Sequence, residues 1–225
     1  MNTKLEGYNI KKKPIGAGFF AKVYYAEDQD NNKFAIKVLP NPEKAKQEAF
    51  VMKEYGSHPY LPRFYDFFVL DAKAYIVMEL IIGEKIGKGN FYHPCDKWKE
   101  TNAVAITINL LKALNHLHNK GFLHKDILPQ NILISENNPD KIKLIDFGMS
   151  VKLKPDMSRG KDLYNSGLLC LYLINGSIKR HRHLDGLDSI NTNLKNILYK
   201  ALNPDKKERF TTAQEFLDTL CQINL

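Results

Sequence analysis

The chain is poor in cysteine, has no long apolar run and shows no internal repeat, and each shortage removes a class of protein. Cys95, Cys170 and Cys221 are its three cysteines, far apart in 225 residues. That spacing gives neither a disulfide framework nor the close pairs of a zinc site, and it suits a reducing, cytoplasmic setting. No apolar stretch reaches the roughly 18 residues a membrane-spanning helix needs, so no membrane association is expected. Residues 1–13 are polar and lysine-bearing, without the apolar segment of a secretion signal.

What remains is a composition that folds. Hydrophobic residues make up 44% of the chain, enough for a core and too many for disorder. The length fits one compact unit or two small lobes. The net charge is +8, but the lysines are spread rather than striped, so nucleic acid is a disfavoured partner. Two local clusters stand out, Lys11-Lys12-Lys13 and Lys179-Arg180-His181-Arg182-His183. The first flanks a predicted edge strand, and the second, in a predicted loop, is the better place to dock something acidic.

The patterning changes along the chain. Residues 8–39 read as three strands, with partial alternation at Val23, Tyr25, Phe34, Ile36 and Val38 and a polar turn at 28–32. A helix over Pro42–Tyr55 follows, then two strands, Phe64–Leu70 and Lys73–Leu80. Beyond the glycine-rich stretch 83–90 the pattern is helical. Ala103, Ile106, Leu110, Ala113, Leu114 and Leu117 share one face, ending at Gly121. Further helices are predicted over 161–174 and 192–202. Thr212-x-x-Glu215 is a capping box opening the last one.

Five short motifs occur in order on these elements. They are Ile15-Gly16-Ala17-Gly18-Phe19-Phe20-Ala21-Lys22-Val23, Phe34-Ala35-Ile36-Lys37, a helix carrying Glu48 with Met52 one turn on, His124-Lys125-Asp126-Ile127-Leu128-Pro129-Gln130-Asn131, and Ile145-Asp146-Phe147-Gly148. Each alone is weak; together, in this order, they are strong. The chain resembles the eukaryotic-like (Hanks-type) Ser/Thr protein kinases from about Tyr8 to Leu220. The resemblance implies an α+β, bilobal kinase-like fold: a five-stranded N-lobe with one helix at about 8–80, a hinge at about 79–84, and a mostly helical C-lobe at about 85–225, together one domain over 1–225.

The resemblance also implies roles. Asp126 would be the catalytic base, and Asn131 and Asp146 would hold Mg²⁺ through hard oxygen ligands. Lys37 would grip the ATP phosphates and Glu48 would orient it, with Glu43 and Glu54 as alternatives on the same helix. Gly16, Ala17 and Gly18 would cover the phosphates, where bare backbone approaches an anion closely. Val23, Ala35 and Leu133 would sandwich adenine, and Glu79 and Ile81 would receive it at the hinge. His124 would be structural, while His116, His118, His181 and His183 receive no role. A protein substrate is implied, with an activating or scaffold protein as a further partner.

Four departures qualify the resemblance. Ala21 replaces the third glycine of the phosphate loop, a mild change. Lys125 stands where the family usually has an arginine that pairs with a phosphorylated loop, and lysine lacks the bidentate fork. Leu128 stands where a lysine usually neutralises the γ-phosphate. Asp162 follows Asp146 by only 16 positions, too few for the usual activation segment, and no Ala-Pro-Glu-like motif lies between them, which leaves Arg209 without its usual partner. The trimmed plan is similar to the small kinases of the tRNA-modification (KEOPS) complex and to some bacterial effector kinases. A small-molecule kinase, a nucleotide-binding scaffold and a nucleic-acid-associated ATPase remain alternative readings.

Overall fold

Alternating and 3.6-period patterns sort the chain into two compact units, residues 1–82 and 83–225. The computed structural model describes residues 3–18, 21–179, 183–188 and 190–223. Phe19 and Phe20 of the glycine-rich stretch, and Arg180, His181 and Arg182 of the second basic cluster, lie outside the described residues.

The first unit is an antiparallel sheet with one helix. Its strands are β1 (Thr3–Leu5), β2 (Tyr8–Ala17), β3 (Lys22–Glu27), β4 (Lys33–Leu39), β5 (Phe64–Leu70) and β6 (Lys73–Glu79). They lie in the order β1-β2-β3-β4-β6-β5. The five expected strands are joined by β1, a short edge strand that extends the sheet beside β2. Pro14 sits in β2 between two register shifts, where a strand tolerates a missing N–H. Along β4, Phe34 and Ile36 face a cluster with Ile10, Ala26, Tyr75 and Val77. Ala35 and Lys37 therefore point to the opposite face, by the two-residue period of a strand. There the helix α1 (Pro42–Tyr55) packs against β5 and β6. Asn41 caps α1 by accepting hydrogen bonds from the Glu43 and Lys44 N–H groups at 3.1 Å each, and Pro42 opens its first turn.

The second unit is mostly helical. It holds the short strands β7 (Glu84–Lys85), β8 (Phe122–Leu123), β9 (Ile132–Ile134), β10 (Ile142–Leu144) and β11 (Val151–Lys152), and the helices α2 (Glu100–Asn119), α3 (Gly160–Asn175), α4 (Thr192–Ala201) and α5 (Ala213–Cys221). β10, β9 and β7 form one small sheet, and β11 pairs with β8. α3 is buried nearly all round, as a central helix must be, and packs against α2 and α4. α2 also packs against α5. The Thr212–Glu215 capping box forms in a shifted version. Thr212 Oγ1 accepts from the Glu215 N–H at 3.1 Å, while the Glu215 carboxylate reaches the Thr211 N–H at 3.0 Å rather than that of Thr212.

Two glycines are set by close approach. A Cβ on Gly83 would stand 2.6 Å from the Ile134 carbonyl oxygen, so only glycine lets the chain enter this unit beside β9. In the middle of α3, a Cβ on Gly167 would stand 2.8 Å from the Ala201 Cβ on α4. Gly167→Ala gains about 1 kcal/mol of helix propensity, but overpacking costs about 1–3 kcal/mol. The expected outcome is net destabilisation of up to about 2 kcal/mol, read as a lower urea midpoint at unchanged slope. A raised midpoint would mean that α3 and α4 separate freely.

Candidate active site

In the first unit the candidate residues converge on one face of the sheet. Val23 lies opposite Lys37 in the β3–β4 register, and Gly16 lies opposite Val23. Val23, Ala35 and Lys37 thus share a face, with Ile76 and Met78 opposite Lys37 and Ala35 on β6. Lys37 Nζ donates to Glu48 Oε1 at 2.6 Å and to Oε2 at 2.8 Å. Lys37 is 8% exposed and Glu48 2%, so each charge relies on the other. The alternatives for this role point elsewhere: Glu43 pairs with Lys46 on the surface, and Glu54 is exposed. Met52, one turn after Glu48, is also buried. Burial, reinforced by the charges of Glu48 and Glu79, pushes the Tyr55 phenol well above its usual range, and its hydroxyl donates to the Pro62 carbonyl at 2.6 Å.

The glycine-rich stretch has the backbone an anion needs. Neither Gly16 nor Gly18 has a positive φ. A Cβ on either would meet nothing closer than 3.7 Å, so the chain itself does not demand glycine there. What the missing side chains leave is bare backbone with room for an anion. Gly18 N–H donates to the Ala21 carbonyl at 2.9 Å, which closes the tip of the loop. Glu79 is half-buried and tied to Arg63 by two backbone-directed bonds: its N–H donates to the Arg63 carbonyl at 2.8 Å, and its Oε2 accepts from the Arg63 N–H at 3.0 Å. Ile81 is half-buried two residues on.

In the second unit the loop 124–131 is held from behind. Asp162, 1% exposed on the first turn of α3, accepts the His124 N–H at 2.9 Å and the Lys125 N–H at 2.8 Å. His118 Nε2, from the last turn of α2, completes the set at 3.0 Å from Asp162 Oδ2. Lys125 adopts φ 68°, a left-handed conformation that lysine rarely takes without such support. Asn165 Nδ2 donates to the Ile127 carbonyl at 3.2 Å, a second strut from α3.

On this frame the candidate catalytic residues come together. Asn131 Nδ2 donates to Asp126 Oδ2 at 2.7 Å and to the Asp126 carbonyl at 2.9 Å. The Asn131 carbonyl accepts the Ile145 N–H at 2.9 Å, which sets the chain leading into Asp146 beside the loop. Asp146 also has φ 68° and is exposed, with Gly148 N–H 3.3 Å from its Oδ1. Phe147 is buried edge-on against the His124 ring, 5.1 Å between centroids. Leu133 is half-buried on β9, opposite Lys143. Among the described residues, no group of three or more His, Cys, Asp and Glu is arranged to hold a metal ion by itself. Asp146 with Asn131 is instead a pair of oxygen donors, the kind Mg²⁺ uses when phosphates and water complete its shell.

Some of this machinery was not evident from sequence. His118, to which the motifs assign no role, is the third partner of Asp162. The signal was a polar residue four after Leu114, on the buried stripe of α2. Arg209 does not stand idle: its guanidinium lies 4.3 Å from the centre of the Tyr164 ring, a cation–π contact in place of a carboxylate.

Two buried groups, His124 and Asp162, predict a pH dependence. Burial holds the His124 imidazole below its ordinary value of 6.5, outweighing the nearby carboxylates of Asp162, Asp146 and Asp126. For Asp162 burial alone would raise the carboxyl, but the His118 hydrogen bond, the charges of His124 and His118, and the Lys125 N–H together hold it below its ordinary 3.8. In both cases the unfolded chain takes up the proton first. Stability therefore falls as pH drops through 6.5, and falls again below 3.8. Urea midpoints measured from neutral to acid pH check this; a profile flat down to about pH 5 would contradict the first step.

The protein kinase domain family matches residues 8–167. Serine/threonine-protein kinase greatwall of Xenopus tropicalis is 34% identical over 68% of this chain and 18% of that protein. Probable serine/threonine-protein kinase YbdM of Bacillus subtilis is 30% identical over 76% of this chain and 71% of that protein. The chain spans less than half the length of several curated relatives that it matches. Among solved structures, the twitchin kinase region from C. elegans aligns with 98% of this chain and 46% of that one, with a TM-score of 0.81 at 21% identity, which shows the same fold. With the family matched across both units' motifs, the chain belongs to the protein kinase domain family, as a Hanks-type Ser/Thr member.

Proposed function

We propose that this chain binds Mg-ATP and transfers the γ-phosphoryl group to a Ser or Thr hydroxyl of a protein. The observation that supports this most is the Asp126–Asn131 pair, 2.7 Å apart on a loop whose backbone is hydrogen-bonded to buried Asp162. The named activities of the relatives support the same class. Mg-ATP would supply the phosphoryl group and the divalent charge that offsets its phosphates.

The roles follow from the hydrogen bonds each residue already makes. Asn131 uses its amide N–H on Asp126 Oδ2. That leaves Asp126 Oδ1 to orient an incoming hydroxyl and accept its proton, and the Asn131 amide oxygen to join Asp146 at the metal. Lys37, oriented by Glu48, would ground the α- and β-phosphates. The backbone at Gly16, Ala17 and Gly18 would cover the remaining phosphate oxygens. Val23, Ala35 and Leu133 would line the adenine, with Glu79 and Ile81 at the hinge.

The enzyme would work without a phosphorylation switch. Only residues 153–159 separate β11 from α3, and they are tied by a long-range bond from the Leu153 N–H to the Gly121 carbonyl at 2.7 Å and by a turn from the Met157 N–H to the Lys154 carbonyl at 3.0 Å. So short a stretch leaves little to be ordered by a phosphate. It also offers little platform for a peptide, so a partner or scaffold protein that presents the substrate belongs to this proposal. A second reading, a small-molecule acceptor, is favoured by that missing platform and by Leu128, which brings no charge to the γ-phosphate.

The test is incubation of radiolabelled Mg-ATP with cell extract, separated into macromolecular and small-molecule fractions. Label on protein Ser or Thr, lost in Asp126→Asn while ATP binding persists, is the expected outcome, and Asp146→Asn should lose the Mg²⁺ dependence of binding. Label in small molecules alone would select the second reading, and none in either fraction would indicate a nucleotide-binding scaffold. Leu128→Lys should raise protein phosphorylation by tenfold or more if γ-phosphate charge is limiting. An unchanged rate would remove Leu128 as the bottleneck.

A further inference from the structure

A pocket of about 270 Å³ opens within the second unit, lined by Asn115, His118, Asn119, Arg159, Thr212, Ala213 and Gln214. None of these is a carboxylate. The donors around it are of the kind that receives an anion. Arg159 is half-buried, and no ion pair is formed by its guanidinium among the described residues. Helix α5 opens at the pocket, with Thr212 as its cap. The Thr212 hydroxyl and carbonyl serve the Glu215 and Phe216 N–H groups. The N–H groups of Ala213 and Gln214 have no partner inside the helix, and they carry the positive end of its dipole.

A buried ring supplies an independent observation. His118 is 3% exposed, and its Nε2 is committed to Asp162 on the inner side. Its Nδ1 is buried without a hydrogen-bond partner. A buried ring nitrogen left this way costs stability unless something completes it. With Nε2 donating to Asp162, Nδ1 of the neutral tautomer is an acceptor, and the P–OH of a hydrogen-phosphate group in the pocket is the donor it lacks. The nearby acidic groups are already engaged: Asp218 accepts from Gln214 at 2.7 Å, and Glu215 accepts from Lys200 at 2.8 Å and from Thr211.

We propose that this pocket binds a phosphate-class oxyanion, held by Arg159, the first-turn amides of α5 and His118. The site is separate from the residues assigned above to ATP. It touches them through one residue, because His118 is also a hydrogen-bond partner of the carboxylate that anchors His124 and Lys125. An occupant would thus act on the backbone of the catalytic loop from behind.

The test titrates the ¹⁵N-labelled full chain with inorganic phosphate at constant ionic strength, against chloride, in the wild type, in Arg159→Ala and in Lys37→Met. The expected result is saturable movement of the Ala213 and Gln214 amide signals and of the His118 ring. It should persist in Lys37→Met and weaken by at least about tenfold in Arg159→Ala, where a charge-assisted fork is lost. Arg159 is half-exposed, so the Arg159→Ala spectrum should otherwise match the wild type, and Arg159→Lys should bind with intermediate strength. A second titration with O-phosphoserine distinguishes sources: tighter binding than phosphate assigns the site to a phosphorylated chain, and equal binding assigns it to the free anion. Movement confined to the 16–18 region, or an unchanged response in Arg159→Ala, would overturn the proposal.

Discussion

The second unit depends on one buried carboxylate. Asp162 collects hydrogen bonds from an imidazole and two backbone N–H groups, with almost no contact with water. A lone buried charge would be costly; three donors make it tolerable and fix its position. The two amides belong to the loop that carries Asp126, and the third donor comes from α2. One side chain therefore joins two helices to a stretch of chain that has no regular structure to hold it. The left-handed backbone at Lys125 follows, since that conformation is what turns consecutive N–H groups toward one acceptor.

The first unit uses an ion pair for a comparable purpose. Lys37 and Glu48 are buried on different elements, a strand and a helix, and meet at 2.6 Å. Replacing both with apolar residues would cost little in stability, since desolvation offsets most of the attraction. Retaining them fixes where the ammonium sits. The two units thus use the same device, a buried charge satisfied by short hydrogen bonds, to position groups rather than to strengthen the fold.

Much of this could be read from residues alone, for reasons that can be named. Alternation along β4 separates Ile36 from Lys37, and helical spacing on α2 marks its buried stripe. Motif context favours Glu48 over Glu43 and Glu54, and burial distinguishes the three. Pairings between residues distant in sequence were less legible. His118 and Asp162 lie 44 positions apart, and nothing local to either marks the other as its partner. The close approach of Gly83 to β9 is likewise a property of packing, which a sequence shows only as a glycine. The stacking of Arg209 on Tyr164 could not be foreseen from a motif that supplies a carboxylate at that place.

The brevity of 153–159 has a consequence for how this architecture can change. Loop closure entropy grows only with the logarithm of length, so doubling such a connection costs about 0.6 kcal/mol. Its ends are already fixed, by β11 pairing with β8 and by Asp162 on α3. A longer segment could be spliced between those two anchors with little loss to the fold beneath it. Stability therefore places almost no pressure on the length of this connection.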